Sequence, residues 1–241
     1  MNDKRTIEVC FSPVLYPYIL HNTNYIVVII DVLRASTSIC TAINNGVKKI
    51  IPVAGIEEAK KYKEDGFIVA AERNGIKLDF ADFGNSPFNF SADIVAGKEI
   101  VYSTTNGTQA IKMVNDCDDV IVGCFNNISV ASKWMHEQNK NVLLLCSGWK
   151  QKFSLEDAVC AGAFVEELMK YPDYCIQCDS ATASLDLWEV AKKDLLKYMD
   201  KVLHRQRLKK FGLDDVLEYT FTLNSINVVP RLVDGALVSA I

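Results

Sequence analysis

Acidic and basic side chains occur together where apolar segments of this chain end. The first case is Tyr25–Asp31, in which an apolar run ends in an acid and Arg34 follows three residues later. A continuous apolar run predicts a strand that is buried on both faces of a sheet. Open α/β sheets bind ligands beyond the carboxyl ends of such strands. Asp31 is therefore a candidate metal ligand and Arg34 a candidate anion ligand, unless Asp31 only caps a helix and Arg34 pairs with a surface acid.

A helix is predicted directly after Arg34, with Ser36 and Thr37 in its first turn. The free backbone N–H groups at a helix N-terminus receive an anion well. A metal and an anion at one place point to a phosphorylated substrate.

Glu72 and Arg73 follow the predicted strand Phe67–Ala71 and repeat the pairing of an acid with a cation. Magnesium prefers oxygen ligands, and arginine presents a planar fork to phosphate oxygens. Glu72 is thus a second candidate metal ligand and Arg73 a second candidate anion ligand. The alternative is an exposed turn in which both side chains are merely solvated.

Three further loops combine glycine with hydroxyl or amide side chains, namely Phe83–Pro87, Ser103–Gln109 and Cys146–Lys150. The best anion cradle among them is Thr104–Thr108, which joins a predicted strand to a helix and contains Gly107. Its backbone N–H groups can point at phosphate, although helix capping explains the same residue types. The substrate-binding candidates are Arg34, Ser36, Thr37, Arg73, Asn85, Ser86, Thr104, Thr105, Asn106, Gly107, Thr108, Ser147 and Gly148.

Glu156 and Asp157 open the helix predicted over Leu155–Lys170. Ser154 followed three residues later by an acid resembles a capping box. Spacing alone favours capping over metal binding at these two acids.

Length, charge and cysteine usage narrow the class of protein. The chain has 241 residues, 49% hydrophobic content and a net charge of -4, so a large core is expected and nucleic acid is not an expected partner. No stretch is long enough to span a bilayer and no signal region opens the chain, so a cytoplasmic protein without a membrane partner is expected.

The eight cysteines are interpreted as reduced core thiols. Cys175 and Cys178 could form a redox pair or half a zinc site, but no second pair follows at finger spacing.

Several known phosphate chemistries are excluded by residue type. The Gly-Lys-Ser/Thr core of a Walker A loop is absent. Leu33 stands where an Asp-x-Asp nucleophile motif needs its second acid, and Lys152 stands where a cysteine phosphatase using Cys146 would need arginine. The three histidines, His21, His136 and His204, are too few and too scattered for a His-rich two-metal site.

Strand-like runs alternate with helix-length segments and predict an α/β protein, with a largely parallel sheet in a three-layer α/β/α arrangement. All the loops above are then expected at one carboxyl edge of the sheet.

Residues 1–241 are treated as a single unit, with two α/β lobes, 1–110 and 111–241, and the site between them as the alternative. A helix pair is predicted over Leu185–Phe211, with a packed face formed by Leu187, Val190, Leu195, Leu196, Val202 and Leu203. Terminal strands are predicted at Ile226–Val229 and Ala236–Val238, around the turn Val233-Asp234-Gly235. The other predicted strands are Ile7–Phe11, Tyr25–Ile30, Val47–Val53, Phe67–Ala71, Ile100–Ser103, Val120–Cys124 and Asn141–Cys146. The other predicted helices are Ala35–Asn45, Ile56–Asp65, Gly107–Val114, Ser129–Gln138 and Leu155–Lys170.

Taken in order, these loops resemble the 2-phosphosulfolactate phosphatase family of the coenzyme M pathway. The segments that carry the resemblance are Asp31–Thr37, Glu72–Gly75, Gly84–Pro87, Thr104–Thr108 and Ser154–Asp157, with Val229-Pro230 near the end. The chain differs from the family's usual pattern at Ala71, Trp149 and Lys150, where the family more often has glycine.

The resemblance implies a magnesium-dependent phosphatase that converts (2R)-O-phospho-3-sulfolactate to 3-sulfolactate and inorganic phosphate. It implies Mg²⁺ ligands among Asp31, Glu72, Glu156 and Asp157. Asp31, Arg34, Arg73 and Asp157 are the catalytic candidates, and which carboxylate acts as the base stays open.

Two alternatives remain at this point. One is a phosphatase for another small phosphorylated 2-hydroxy acid, and the other is a non-catalytic protein that binds a phosphorylated metabolite. Several carboxylates beside the ligand argue against a pure anion receptor. A homodimer is expected only because such assemblies are common.

Overall fold

The computed structural model describes residues 4–19, 24–114, 117 and 119–241, so His21 lies outside the described residues. The strands are β1 (Arg5–Cys10), β2 (Tyr25–Ile30), β3 (Lys49–Pro52), β4 (Ile68–Arg73), β5 (Ile76–Lys77), β6 (Glu99–Ser103), β7 (Asp119–Gly123), β8 (Asn141–Cys146), β9 (Tyr174–Ile176), β10 (Pro230–Val233) and β11 (Ala236–Ser239). The helices are α1 (Ala35–Asn44), α2 (Ile56–Glu64), α3 (Ala92–Val95), α4 (Gly107–Met113), α5 (Ile128–Glu137), α6 (Leu155–Leu168), α7 (Asp179–Ala191), α8 (Leu195–Tyr198), α9 (Leu203–Lys210) and α10 (Leu217–Thr220).

Within these ranges, the strands form one sheet in the order β5-β4-β6-β3-β11-β10-β7-β2-β8-β1-β9. The pairs β4–β6 and β6–β3 are parallel, and so are the pairs from β7 through β2, β8 and β1 to β9. The hairpin β10–β11 is antiparallel and joins the two parallel groups. The predicted α/β class with a largely parallel sheet is confirmed.

The two parallel groups run in opposite directions. Strand β3 pairs antiparallel with β11, β11 with β10, and β10 with β7. Three successive reversals make β3 antiparallel to β7. The expectation of one shared carboxyl edge is therefore wrong, because a hairpin from the end of the chain lies between the two groups.

Strand β2 explains why helices cover both faces of the sheet. Its six residues are all buried, as its continuous apolar run predicts. Ile26, Val28 and Ile30 pack in one core with residues of α5, α6 and α7. Val27 and Ile29 pack in a second core with residues of α1 and α4. Because side chains alternate along a strand, β2 contributes to both cores, and the layering is α/β/α.

The helical stretch near the C-terminal end differs in detail from the prediction. It begins at Asp179 and contains α7, α8 and α9 instead of a pair over Leu185–Phe211. The Asp194 carboxylate accepts a hydrogen bond from Lys197 N at 3.1 Å and starts a new short helix, which accounts for the break. Val190 and Leu203, predicted to pack inward, are 60% and 69% exposed.

The segment Ile226–Val229 is not a strand, which corrects the prediction. Ile226 and Val229 are buried, but Ile226 N donates to Asn126 O at 2.9 Å outside any ladder. Their apolar pattern therefore reflects core packing, and the ladder begins one residue later at Pro230. The Val233-Asp234-Gly235 turn does connect two strands, as predicted, with Asp234 and Gly235 at positive φ.

The described cysteines are all free thiols, and Cys10, Cys124 and Cys146 are buried as expected. Cys178 Sγ accepts hydrogen bonds from Ala181 N at 3.3 Å and Val9 N at 3.4 Å, which caps α7. None of the helices in the described ranges is both long and apolar enough to cross a bilayer.

Candidate active site

The loops from both strand groups meet at one small cavity. Arg34, after β2, donates from Nη2 to Gly75 O, after β4, at 2.9 Å. This contact joins the carboxyl end of one group to that of the other. The lining residues are Asp31, Leu33, Arg34, Glu72, Gly75, Asn85, Asn106, Trp149 and His204.

Five of the lining residues are ones that the sequence singles out: Asp31, Arg34, Glu72, Asn85 and Asn106. They come from four separate loops and are brought together although their strand groups run in opposite directions. Asn85 is held in place by Tyr102, whose hydroxyl donates to Asn85 Oδ1.

Asp31 lies at the end of β2 and is 6% exposed. Its N–H donates to Ser36 Oγ at 2.7 Å, and Ser36 N donates back to Asp31 O at 2.8 Å. Burial raises the pKa of the Asp31 carboxyl group to about 7, and the nearby Glu72 and Glu156 charges add to the rise, whereas His204 opposes it. Asp31 is thus a buried carboxyl group in repulsive surroundings.

Glu72 ties the loop after β4 to the loop after β6. Its Oε1 accepts from Thr105 N at 2.7 Å, and its Oε2 accepts from Gly75 N at 2.5 Å and Thr105 Oγ1 at 3.2 Å. The carboxylate keeps unused acceptor capacity after these three bonds, because it has about four lone-pair sites.

Arg34 and Arg73 are used differently. Arg34 is almost fully buried and lines the cavity. Arg73 donates to Ser103 Oγ and Ala54 O, each at 3.0 Å, and to Glu72 O at 2.6 Å. Arg73 is not among the cavity-lining residues, and its guanidinium group holds the ends of β4 and β6 together.

Asp157 ties the loops after β2 and β8. Its Oδ1 accepts from Val32 N at 2.9 Å and its Oδ2 from Gly148 N at 3.0 Å. Burial raises its pKa well above the usual range, with the Glu156 and Asp31 charges adding to the rise. Gly148 has φ of +64°, and a Cβ there would overlap Lys152 O, so this turn requires glycine.

Most of the predicted hydroxyl ligands bind their own loops. Thr37 Oγ1 donates to Val32 O at 3.0 Å. Thr104 and Thr108 bond reciprocally, with Thr104 N donating to Thr108 Oγ1 at 3.1 Å and Thr108 N to Thr104 Oγ1 at 3.2 Å. These residues, with Ser36, shape the backbone near the cavity and do not line it.

Ser86 and Ser147 line cavities beside the carboxylate site. Ser86 lies in a groove that Arg34 and Asn85 also line. Ser147 and Thr105 line another, with Asn106 shared. The Ser147 hydroxyl is buried without a hydrogen-bond partner in the described part of the chain.

Gly107 allows α4 to approach Asp31 closely. A Cβ at this position would lie 2.8 Å from Ala35 Cβ and 3.0 Å from Asp31 Oδ2. The glycine that the sequence marks as a close-approach residue therefore abuts the acid that ends β2.

His204 is a cavity residue that the sequence analysis did not select. It lies on α9, and its Nδ1 is 3.0 Å from Glu156 Oε1. Its ring lies 4.9 Å from the Trp149 ring, and the Arg207 guanidinium carbon lies 4.0 Å over the same indole. The i, i+3 spacing of His204 and Arg207 on a charged helix is the signal that could have indicated a shared face.

The four predicted metal ligands do not assemble into one chelating group. Over the residues that the structure describes, no set of three or more His, Cys, Asp and Glu side chains is placed to hold a metal ion. Asp31 and Glu72 nevertheless line one cavity and interact electrostatically. Carboxylate oxygens are the kind of donor that Mg²⁺ prefers, so the chemistry of these two acids suits that ion.

Comparisons with known proteins agree with one another. The profile of the family described as 2-phosphosulpholactate phosphatase matches residues 14–235. A protein from Caldanaerobacter subterraneus named "Probable 2-phosphosulfolactate phosphatase" is 37% identical over 213 residues, which cover 87% of this chain and 88% of the relative. Proteins with the same name from Clostridium perfringens (35% identical, 87% of each chain) and Pseudothermotoga lettingae (36% identical, 87% of this chain and 90% of the relative) are similar to the same extent.

Proposed function

Because the chain belongs to the 2-phosphosulfolactate phosphatase family, we propose that it hydrolyses (2R)-O-phospho-3-sulfolactate to (2R)-3-sulfolactate and inorganic phosphate with Mg²⁺ as cofactor. In this reaction water supplies an oxygen to phosphorus, the bond from phosphorus to the C2 oxygen breaks, and the leaving oxygen gains a proton. The observation that supports the proposal best is the meeting of Asp31, Glu72 and Arg34 in one buried cavity. A place in coenzyme M synthesis is part of the same proposal.

Asp31 and Glu72 are the residues that would hold Mg²⁺. When bound there, the ion would supply a Lewis acid for a phosphoryl oxygen and lower the pKa of a coordinated water. The raised pKa of Asp31 supports this assignment, because its buried carboxyl group faces two other acids. A divalent cation would relieve that repulsion.

Arg34 is the residue that would balance the charge of the transferring phosphoryl group. Its guanidinium group is buried beside Asp31, and a single hydrogen bond to Gly75 O accounts for only one of its five N–H donors. The remaining donors can bind phosphate oxygens in a fork, as charge-assisted hydrogen bonds.

His204 is the residue that would deliver a proton to the leaving oxygen. Its Nδ1 is held by Glu156, which fixes the ring and leaves Nε2 as the second proton site. Glu156 then acts by orienting His204. Asp157, whose two oxygens accept backbone N–H groups, acts by positioning the loop that carries Val32.

The test is release of phosphate from 2-phosphosulfolactate, 2-phospholactate and 3-phosphoglycerate, each with Mg²⁺ and with a chelator. The proposal expects Mg²⁺-dependent turnover that is fastest on the sulfonate. Equal or faster use of the other two substrates would keep the phosphatase and reject the proposed substrate. Absence of turnover on all three would favour a phosphometabolite-binding protein.

A further inference from the structure

A second, larger cavity adjoins the carboxylate cavity beneath α9. Trp149 and His204 line both cavities. The second cavity has a volume of about 460 Å³, whereas the carboxylate cavity has about 10 Å³, which is room for about one water. A substrate whose phosphoryl group reaches Asp31 must therefore place its remaining atoms in an adjoining space.

The second cavity is basic. Lys152, Lys201 and Arg207 line it, and Glu156 is its one acidic lining residue in the described part of the chain. Glu156 is already paired with His204 at 3.0 Å. The cavity thus carries an excess of positive charge that its own lining does not neutralise.

Arg207 is the unusual member of this lining. Every other arginine donates a hydrogen bond to a described oxygen or nitrogen acceptor, whereas Arg207 has no hydrogen bond or ion pair with any described residue. Its Nε is buried without a partner. Its guanidinium group lies 4.0 Å over the Trp149 ring, which fixes the plane of the fork and leaves its N–H edge free to bind an anion.

The other two adjoining cavities are poorer anion sites. In one, Lys150 is the single charged residue among the described lining residues. In the other, Asp82 and Asp215 oppose Arg34 and Lys77. The excess positive charge is concentrated beside Trp149.

We propose that Arg207, stacked on Trp149, binds the sulfonate of the substrate and determines the preference for a sulfonated substrate. This inference rests on the proposed function. The sulfonate is attached to C3, one bond further from the phosphate ester than the carboxylate, so it is the group that extends from the carboxylate cavity into the next one. A sulfonate is weakly basic and singly charged, which suits the weakly hydrated guanidinium group better than a lysine ammonium.

The test compares Arg207→Met with the wild type on 2-phosphosulfolactate and 2-phospholactate, which lacks only the sulfonate. Methionine keeps apolar contact with Trp149 and removes the fork. A hydrogen bond to a charged group contributes about 1.5–3 kcal/mol, so kcat/KM for 2-phosphosulfolactate should fall about 10- to 100-fold. The value for 2-phospholactate should change by less than about threefold, and Arg207→Lys should recover only part of the loss.

Arg205→Met is the matched control on the same helix. Its guanidinium group donates to Leu196 O at 2.8 Å and pairs with Asp200 at 2.7 Å, away from the cavity. Arg205→Met should leave the ratio of the two kcat/KM values unchanged. Equal losses on both substrates in Arg207→Met, or no loss on either, would overturn the inference.

Calorimetric binding of 3-sulfolactate separates this inference from the proposed function. If the wild type does not hydrolyse 2-phosphosulfolactate but binds 3-sulfolactate and Arg207→Met does not, the proposed function fails and the sulfonate site stands. If hydrolysis occurs and both proteins bind 3-sulfolactate equally, the sulfonate site fails and the proposed function stands. If the wild type neither hydrolyses the one nor binds the other, both fail.

Discussion

Replacing Asp31 with asparagine is expected to stabilise the protein while it abolishes turnover. Asp31 is buried and faces Glu72 and Glu156, and these surroundings raise its pKa from 3.8 to about 7. A raised pKa means that folding favours the protonated carboxyl group. The associated stability is fully present below the unfolded-state pKa and is lost as the pH rises through the folded-state pKa. Asparagine has the shape of the protonated acid and cannot ionise.

The magnitude follows from the same two pKa values. With 3.8 in the unfolded chain and about 7 in the folded protein, ionisation costs the wild type about 4 kcal/mol at pH 8 and about 2 kcal/mol at pH 5. The stability gain of Asp31→Asn should therefore grow by about 2 to 3 kcal/mol between pH 5 and pH 8. The difference between the stability gains at the two pH values is the better test, because any effect of the substitution on packing is the same at both pH values and cancels.

The measurement is urea denaturation of both proteins at pH 5 and pH 8 with a chelator present, so that no bound cation offsets the repulsion. Asp119→Asn is the matched control, because Asp119 is also 6% exposed but pairs with Lys140 and Arg231, each at 2.6 Å. Breaking that buried network should destabilise the protein. A gain for Asp31→Asn that does not depend on pH, or a loss at pH 8, would refute the electrostatic reasoning.

Three further outcomes are expected. In thermal unfolding, adding Mg²⁺ at about 100 times its Kd should stabilise the chelator-treated wild type by about 2.7 kcal/mol. The same addition should stabilise Asp31→Asn much less. Equal stabilisation of both proteins would contradict Asp31 as a Mg²⁺ ligand. Gly107→Ala should lower kcat for phosphate release about 100-fold, because the new Cβ would lie 3.0 Å from Asp31 Oδ2 and displace the carboxylate. A kcat equal to that of the wild type would show that the reaction tolerates displacement of Asp31. Gly162→Ala should lower the free energy of unfolding by about 3 kcal/mol, because the new Cβ would overlap Ser184 O where α6 crosses α7. A midpoint of urea denaturation within error of the wild-type value would argue against that close crossing.

Local elements could be predicted well because their determinants are contiguous in the sequence. The buried run of β2 places Asp31 at a strand end, and Gly46, with φ of +88°, lies just after the end of α1, where glycine favours a left-handed conformation. Helices α1 and α2 begin at the predicted residues, Ala35 and Ile56. In each case a hydrophobic period and one terminating residue carry the information.

Long-range pairing could not be predicted in the same way. The reversal of the two strand groups depends on single pairings, Arg231 with Ile121 and Leu237 with Ile50, between segments far apart in the chain. Nothing in a local period specifies which strands a terminal hairpin joins. The loops converge for this reason and not because they share an edge.

The same limit applies to α9 and its cavity. His204 and Arg207 are distant in sequence from Trp149, and a solvated charged helix is the ordinary interpretation of their segment. Their contribution becomes visible only in the folded chain, where the Trp149 ring lies 4.9 Å from the His204 ring and 4.0 Å from the Arg207 guanidinium carbon.

Two buried carboxylates of the site, Glu72 and Asp157, hold loops together, whereas Asp31 does not. Glu72 accepts three hydrogen bonds from the loops after β4 and β6, and Asp157 accepts two from the loops after β2 and β8. Backbone N–H donors stabilise both as anions. Asp31 has one such bond, from the Ala35 backbone, and its carboxyl group lines the cavity. Burial also raises the pKa of Asp157, but Asp157 uses both oxygens on loop N–H groups and does not line the cavity. Asp31 is buried, repelled by other acids and open to the cavity, so its presence is best explained by a ligand that supplies positive charge.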